Sequence, residues 1–157
     1  VLDAQKAAIA VVKPGNNWDA PHQAAVRSLT AGLVNLGLLQ GEVDELIKDP
    51  PKPADGTAPQ EAPYRQFYMH KTGHWLGLDV HDVGDYKVNG EWRTLEPGMV
   101  LTVEPGLYVS PADNVDPKWW NIGIRIEDDV LVTAEGCEVL TAGVVKEIAD
   151  IEALMVQ

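Results

Sequence analysis

Apolar residues recur at helical spacing in the first third of the chain. Residues 1–12 have the pattern of a helix that ends at the breaker Lys13-Pro14-Gly15. Asp19 is a candidate N-cap for a second helix, and Pro21 is tolerated in its first turn. A period of three and four predicts the apolar face of that helix, at Ala25, Leu29, Leu33 and Leu36. Beyond Gly37 and Gly41, the segment 42–48 predicts one more short helix.

The pattern changes from helical to strand-like after a proline-rich segment. Residues 49–63 hold five of the eleven prolines and predict a loop. Five later segments alternate or run apolar between Gly, Pro, Asn and Asp residues, and these predict strands over 76–80, 99–103, 107–109, 122–126 and 130–132. Residues 147–155 predict a closing helix. Helices followed by strands favour an α+β fold with a mainly antiparallel sheet.

Composition and charge narrow the classes of partner. The chain of 157 residues is long enough for one domain with its own core, and 12 Lys and Arg against 24 Asp and Glu give a formal net charge of -12. Nucleic acid and anionic membrane both require basic surface, so neither is an expected partner. An acidic surface most often serves solubility and identifies no partner by itself.

Three further features bear on the setting of the chain. Cys137 is the single cysteine, which excludes an intrachain disulfide and favours a reducing, cytoplasmic setting. No apolar stretch approaches the ~18 residues of a membrane span. The first residues, Val1-Leu2-Asp3-Ala4, include no initiator Met and no basic signal region, and they read like the middle of a helix. We therefore expect the chain to begin part-way through a larger protein.

Histidines cluster in the segment from Met69 to Asp82. His70, His74 and His81 account for three of the four histidines within twelve positions. One strand face cannot present both His74 and His81, so they would have to meet from a strand and an adjoining loop. Neutral imidazole binds divalent transition metals, and a second histidine can donate to a developing oxyanion. Each histidine taken singly is more often an ordinary surface or core residue.

Two acidic residues at strand ends extend this candidate site. Glu104 ends an apolar strand before Pro105-Gly106, where a partly desolvated carboxylate is costly unless it is paired or metal-bound. Alternation places Arg125 and Glu127 on one face of the next strand and isoleucines on the other, so the arginine could orient and ionise that carboxylate. Taken alone, Glu104 is better read as an exposed acid at a strand end, and the Arg125–Glu127 pair as a weak surface ion pair. One histidine with two glutamates suits a hard or borderline divalent ion.

In order and spacing these segments resemble aminopeptidase P, the Xaa-Pro aminopeptidase of the creatinase, prolidase and methionine aminopeptidase group with the pita-bread fold. The resemblance extends over nearly the whole chain. It is most specific in the runs 74–84, 95–108 and 123–129, and the closing segment 151–155 is also similar. It implies that residues 1–157 are the C-terminal part of a metallopeptidase catalytic domain, with 49–63 as a proline-rich loop inside it.

The resemblance implies a role for each candidate residue. His74, Glu104 and Glu127 would be metal ligands, and Glu127 would bridge two divalent ions, usually manganese in the family. His81 would stabilise the tetrahedral intermediate, His70 would line the substrate site, and Arg125 would support the metal carboxylates. Glu104 would also carry a proton to the leaving nitrogen. The implied reaction releases the residue that precedes proline, by attack of a metal-bridging hydroxide.

The sequence also departs from the family pattern. Lys71 occupies a position where the family usually has a small residue, so we expect it to alter the lining of the pocket, and the loop at 49–63 resembles an insertion. Two aspartate ligands and a further histidine would lie upstream of residue 1, so we expect the isolated chain to be inactive and to need the missing half or self-association. The alternatives are an inactive remnant that retains the fold, or a prolidase that cleaves Xaa-Pro dipeptides.

Overall fold

The computed structural model describes residues 1–51, 57–58 and 60–156. Across these residues the helices are α1 (Leu2–Ile9), α2 (Ala20–Asn35), α3 (Val43–Leu46) and α4 (Ile148–Met155), with 3-10 turns at Pro63–Gln66 and Pro117–Trp119. The strands are β1 (Lys87–Val88), β2 (Glu91–Trp92), β3 (Val100–Val103), β4 (Gly106–Val109), β5 (Ile122–Arg125), β6 (Asp128–Val132) and β7 (Cys137–Val139). Within the predicted loop at 49–63, residues 52–56 and 59 lie outside the described ranges. None of the described helices is long and apolar enough to cross a membrane.

Helices α1 and α2 pack together on one side of the molecule. Ala4, Ala8 and Ala25 are buried between the elements of the main core, where small side chains allow close approach. α1 ends at Ile9, earlier than the predicted residue 12, and turns continue to Val11. The short helix predicted over 42–48 is present as the shorter α3, and the closing helix predicted over 147–155 is present as α4.

The predicted second helix is present with two differences in detail. Asp19 is the N-cap residue of α2, as predicted, but its side chain caps no backbone amide, because its carboxylate accepts hydrogen bonds from Gln23 and Lys71. Leu36 lies beyond the last helical residue and is 48% exposed, so the buried apolar face ends at Leu33.

Every strand pair among the described residues is antiparallel, which confirms the predicted α+β class. β3 pairs with β6, β6 with β7, β4 with β5, and β1 with β2. Val103 lies opposite Asp128, and Gly106 lies opposite Arg125. The register therefore runs unchanged from the β3–β6 pair into the β4–β5 pair. The interruption falls at Pro105, which has no N–H to donate and accepts from the Ile126 amide at 3.3 Å.

The strand predicted over 76–80 is wrong. The paired segment lies upstream, where Trp75 bridges Leu101 of β3. The chain then turns back, and the Asp82 amide donates to the Trp75 carbonyl at 3.0 Å. Leu78 and Val80 consequently face solvent. The alternating segment 76–80 therefore forms no strand, because among the described residues no neighbouring strand pairs with it and no core covers its apolar side chains.

Other strand predictions fail at particular points. The hairpin of β1 and β2 turns at Asn89-Gly90, both with positive φ, a turn that an Asn-Gly pair signals in sequence. This hairpin and β7 were not predicted. β5 ends at Arg125, and all four of its residues are exposed, so its isoleucines cover no core. The main core instead lies between α1, α2 and the inner faces of β3 and β6.

Candidate metal centre

Antiparallel register brings the two glutamates opposite each other. Glu104 follows Val103 at the end of β3, and Glu127 precedes Asp128 at the start of β6. Since Val103 faces Asp128 across the ladder, the next pair is Glu104 with Glu127, and paired residues project from the same face of a sheet. Two carboxylates in this arrangement repel each other unless a cation or a proton lies between them.

His74 joins the same face through the segment paired with β3. The Glu104 amide donates to the Thr72 carbonyl at 2.7 Å, and the Thr102 amide donates to the His74 carbonyl at 3.0 Å. His74 therefore lies opposite Thr102, two residues before Glu104. The Nδ1–H of His74 donates to the Trp75 carbonyl at 2.9 Å, which leaves the Nε2 lone pair available for a ligand.

The structure gathers three potential ligand atoms in a small volume. His74, Glu104 and Glu127 each offer one ligand atom, and these atoms all lie within 4.8 Å of one another. His74 is buried, Glu104 is half-buried and Glu127 is exposed. A nitrogen and two carboxylate oxygens are a suitable donor set for manganese, zinc, cobalt or iron. The geometry thus fits a divalent ion, and these are the three residues that the sequence singled out as ligands.

The environment of the two facing glutamates raises the pKa of Glu127. Partial removal from water raises the pKa of Glu127 above its ordinary value, and the facing Glu104 carboxylate raises that pKa further. The nearby His74 acts in the opposite direction. A cation bound between the two carboxylates would stabilise the ionised form of Glu127.

Arg125 is held close to the acidic pair from the neighbouring strand. Its Nε donates to the Tyr108 hydroxyl at 2.6 Å, and its Nη1 lies 3.5 Å from Oε2 of Glu104. The sequence predicted that Arg125 would orient Glu127 along its own strand, but its ion pair is with Glu104 across the ladder. The hydrogen bond from the guanidinium to Tyr108 is the main cause of the raised pKa of Arg125.

His70 lies at the end of the same hydrogen-bond chain. Its Nδ1–H donates to the Lys71 carbonyl at 2.7 Å, so its Nε2 accepts from the Tyr108 hydroxyl at 2.9 Å. Tyr108 thus links Arg125 to His70. Sequence reasoning gave Tyr108 no role, although its alternation with Glu104 along the bent strand pair would have placed both on one face.

His81 reaches the site from the bend after the paired segment. Its ring stacks on His74 with centroids 3.9 Å apart and 15° between the planes. The two histidines therefore meet from different segments, as their spacing required. His81 is exposed, so its ring lies at the solvent side of His74.

A cavity of about 560 Å³ opens over these residues. The remaining lining comes from both halves of the chain, from Trp18, Lys71, Gly73, Val80, Tyr86 and Trp92. Trp18 is brought here because the Trp18 amide donates to the Arg93 carbonyl at 2.8 Å. The aromatic wall was not predicted, since aromatic type alone does not distinguish a cavity wall from a core. Lys71 does line the cavity, as its unusual position suggested.

Gly73 permits the close approach that places His74. A Cβ on Gly73 would overlap the Thr102 carbonyl oxygen on β3. We expect Gly73→Ala to lower the free energy of unfolding by about 2 kcal/mol, the typical effect of overpacking. The matched control is Gly32→Ala in α2, where a Cβ meets nothing within 4 Å. That substitution should stabilise by about 0.5–1 kcal/mol because alanine favours the helix. Urea unfolding measures both, and equal stabilities would contradict the close-approach argument.

Comparison with known proteins places this arrangement in a family. Residues 1–134 match the profile of metallopeptidase family M24. The chain is 52% identical over 155 residues to the Xaa-Pro aminopeptidase of Haemophilus influenzae and 49% identical over 156 residues to that of Escherichia coli. Each match covers 99% of this chain, but 33% and 32% of the relative. The chain thus spans about a third of the length of these curated relatives.

Solved structures agree with the sequence comparison. The structure of Pseudomonas aeruginosa aminopeptidase PepP superposes with a TM-score of 0.87 and 57% identity, over 99% of this chain and 33% of that one. Proline aminopeptidase P II from Yersinia pestis gives 0.84 and 48%, with the same coverage. The pita-bread fold and the resemblance inferred from the sequence motifs are confirmed.

Proposed function

Because the chain belongs to metallopeptidase family M24, we propose that it supplies part of a metal-dependent active site that releases an N-terminal residue preceding proline. The observation that carries the proposal is the convergence of His74, Glu104 and Glu127, whose ligand atoms lie within 4.8 Å of one another. The names of the relatives as Xaa-Pro aminopeptidases support the reaction and the substrate.

The three converging residues are the proposed metal ligands. The exposure of Glu127 and its position opposite Glu104 support the proposal that it would bridge two ions, and His74 would present a lone pair from a fixed ring. We propose manganese as the ion, since carboxylate-rich sites suit it. Bound ions of this kind activate water for attack on a peptide carbonyl. Their charge would also relieve the repulsion between the glutamates.

The surrounding residues are proposed to act on the substrate. His81, stacked on His74, is positioned to donate a hydrogen bond to the carbonyl oxygen as negative charge develops there. His70 borders the cavity beside Tyr108 and would contact the peptide. Arg125 holds Glu104 from the opposite strand, and Glu104 would pass a proton to the proline nitrogen that leaves.

The site needs more groups than the described residues bring together. One histidine and two glutamates are the ligand set found there, and two ions require further carboxylates. We propose that these come from polypeptide corresponding to the rest of the relatives, or from self-association. Exposed apolar side chains on β5 and α4 support such an additional contact. The single cysteine supports a reducing cytoplasm as the setting.

Calorimetric titration with manganese and an Xaa-Pro peptide assay test the proposal. We expect the 157 residues alone to bind manganese weakly, with negligible turnover, because their ligand set is small. Adding a polypeptide that carries the remaining two thirds of the Haemophilus influenzae enzyme should raise both binding and turnover. His74→Ala should remove the binding. Manganese binding that survives this substitution, or a complemented complex without Xaa-Pro activity, would contradict the proposal.

A further inference from the structure

A buried polar network lies behind the candidate metal centre, on the opposite face of the sheet. Asp128, the residue after Glu127, is 3% exposed. Its carboxylate accepts hydrogen bonds from Gln5 at 2.9 Å, from the Thr141 hydroxyl at 2.6 Å and from Lys146 at 2.9 Å. Asp128 therefore ties β6 to helix α1 and to the segment that follows β7.

Lys146 is fully satisfied within this network. Besides Asp128, its ammonium group donates to the carbonyl oxygens of Val144 at 2.9 Å and Thr141 at 3.3 Å. Three N–H groups thus meet three oxygens, and the side chain is 15% exposed. Taking both charges out of water offsets much of their attraction, so such a pair adds little net stability over an apolar replacement. Its value lies in fixing one geometry.

The geometry that it fixes includes the start of β6. Upstream of Glu127, β5 is hydrogen-bonded to β4, but all four of its residues are exposed, so no buried side chain of β5 helps to hold the glutamate in place. Downstream, Asp128 is locked, and the Asp129 amide donates to the Thr141 hydroxyl at 3.0 Å. The buried side-chain contacts that anchor the backbone at Glu127 therefore come from the β6 side, through Asp128 and Asp129.

We propose that Asp128 and Lys146 are positioning residues, which hold the Glu127 carboxylate in register with Glu104 for metal binding. This inference rests on the proposed function, since it assumes that Glu127 is a ligand. It assigns to the buried ion pair a part in the metal centre although neither residue touches the cavity. Residues that orient ligands in this way alter metal affinity by about 10–100-fold when they are replaced.

Lys146→Met tests the proposal by manganese calorimetry and by the absorption spectrum of bound Co²⁺. We expect manganese affinity to fall at least about tenfold and the cobalt spectrum to change, since the ligand geometry is altered. The matched control is Lys6→Met, which removes the exposed ion pair with Glu147 beside the same network. Lys6→Met and the conservative Lys146→Arg should both retain the parent spectrum. Measurements are made where circular dichroism shows each variant folded.

A second variant guards against loss of folding, because Lys146→Met leaves Asp128 charged and buried. Asp128→Asn combined with Lys146→Met removes both charges and should fold, while still lowering the affinity and altering the spectrum. Parent affinity and spectrum in the folded Lys146→Met variant and in the folded double variant would overturn the positioning role and leave the proposed function standing. A parent chain that binds neither ion would instead overturn the proposed function and this inference with it.

Discussion

Replacing Glu127 with glutamine should make the metal-free chain more stable while it removes manganese binding. Glu127 faces Glu104 directly across the strand pair, and the cost of two like charges in that position is about 0.2–1 kcal/mol. Glutamine keeps the shape and removes one charge. It also removes an anionic ligand, so we expect manganese affinity to fall by more than the roughly 10–100-fold that follows replacement of a residue that only orients a ligand. Stability and metal binding should therefore change in opposite directions.

The gain in stability should depend on pH in a defined sense. The pKa of Glu127 is raised in the folded chain, so the folded state binds its proton more readily than the unfolded state. The carboxyl group stabilises the fold fully below its ordinary pKa of 4.5, and that contribution is lost as the pH rises through the raised folded value. Glu127→Gln should therefore differ most from the parent at neutral pH and least in acid.

Chemical denaturation at several pH values, with calorimetry in parallel, measures both effects. Glu138→Gln is the matched control, because Glu138 lies exposed on β7, away from the cavity, and carries the same substitution. It should leave manganese binding unchanged. A destabilised metal-free Glu127→Gln chain would show that the two carboxylates do not repel each other. Retained manganese affinity would remove Glu127 from the ligand set.

The individual ligands were open to prediction from sequence, but the way in which they meet was not. A carboxylate at the end of an apolar strand and a histidine in a glycine-rich segment are unusual enough to be singled out, and the resemblance assigned them roles. Their convergence depends on which strands pair and in which register, and a shift of one residue would send Glu127 to the opposite face. Pro105 interrupts the ladder without shifting it, a fact that no local pattern reveals.

The failures share a physical cause. Leu78 and Val80 alternate like strand residues, but no neighbouring strand pairs with them, so the chain turns and exposes them. The contact of Arg125 with Glu104 crosses between strands, whereas sequence spacing suggested a contact along one strand. Through long-range pairing, Trp18 reaches the cavity and Tyr108 joins Arg125 to His70 beside it. Local patterns predicted the four helices and strands β3 to β6, and errors arose where tertiary contacts decided the outcome.

Acid should destabilise the fold through His22, the one histidine outside the predicted cluster. His22 is 6% exposed, and its Nδ1 lies 2.9 Å from the Thr72 hydroxyl, which also contacts the Tyr68 hydroxyl at 2.6 Å. Burial, with a smaller effect of nearby Lys71, lowers the pKa of His22 from 6.5 to about 4. Charging this ring in the folded chain is unfavourable, so the unfolded state binds the proton first.

The resulting stability is fully present above the unfolded pKa of 6.5 and is lost as the pH falls through about 4. A shift of that size corresponds to roughly 3 kcal/mol. His22→Gln should therefore flatten the pH dependence of urea unfolding over this range, and an NMR titration of the parent should place the imidazole midpoint near 4. A midpoint near 6.5 would contradict the burial argument. The Thr72 carbonyl accepts a hydrogen bond from the Glu104 amide, and Thr72 lies two residues before His74. Because His22 contacts the Thr72 hydroxyl, protonation of His22 should also weaken manganese binding in acid, in addition to the direct competition of protons for the ligands.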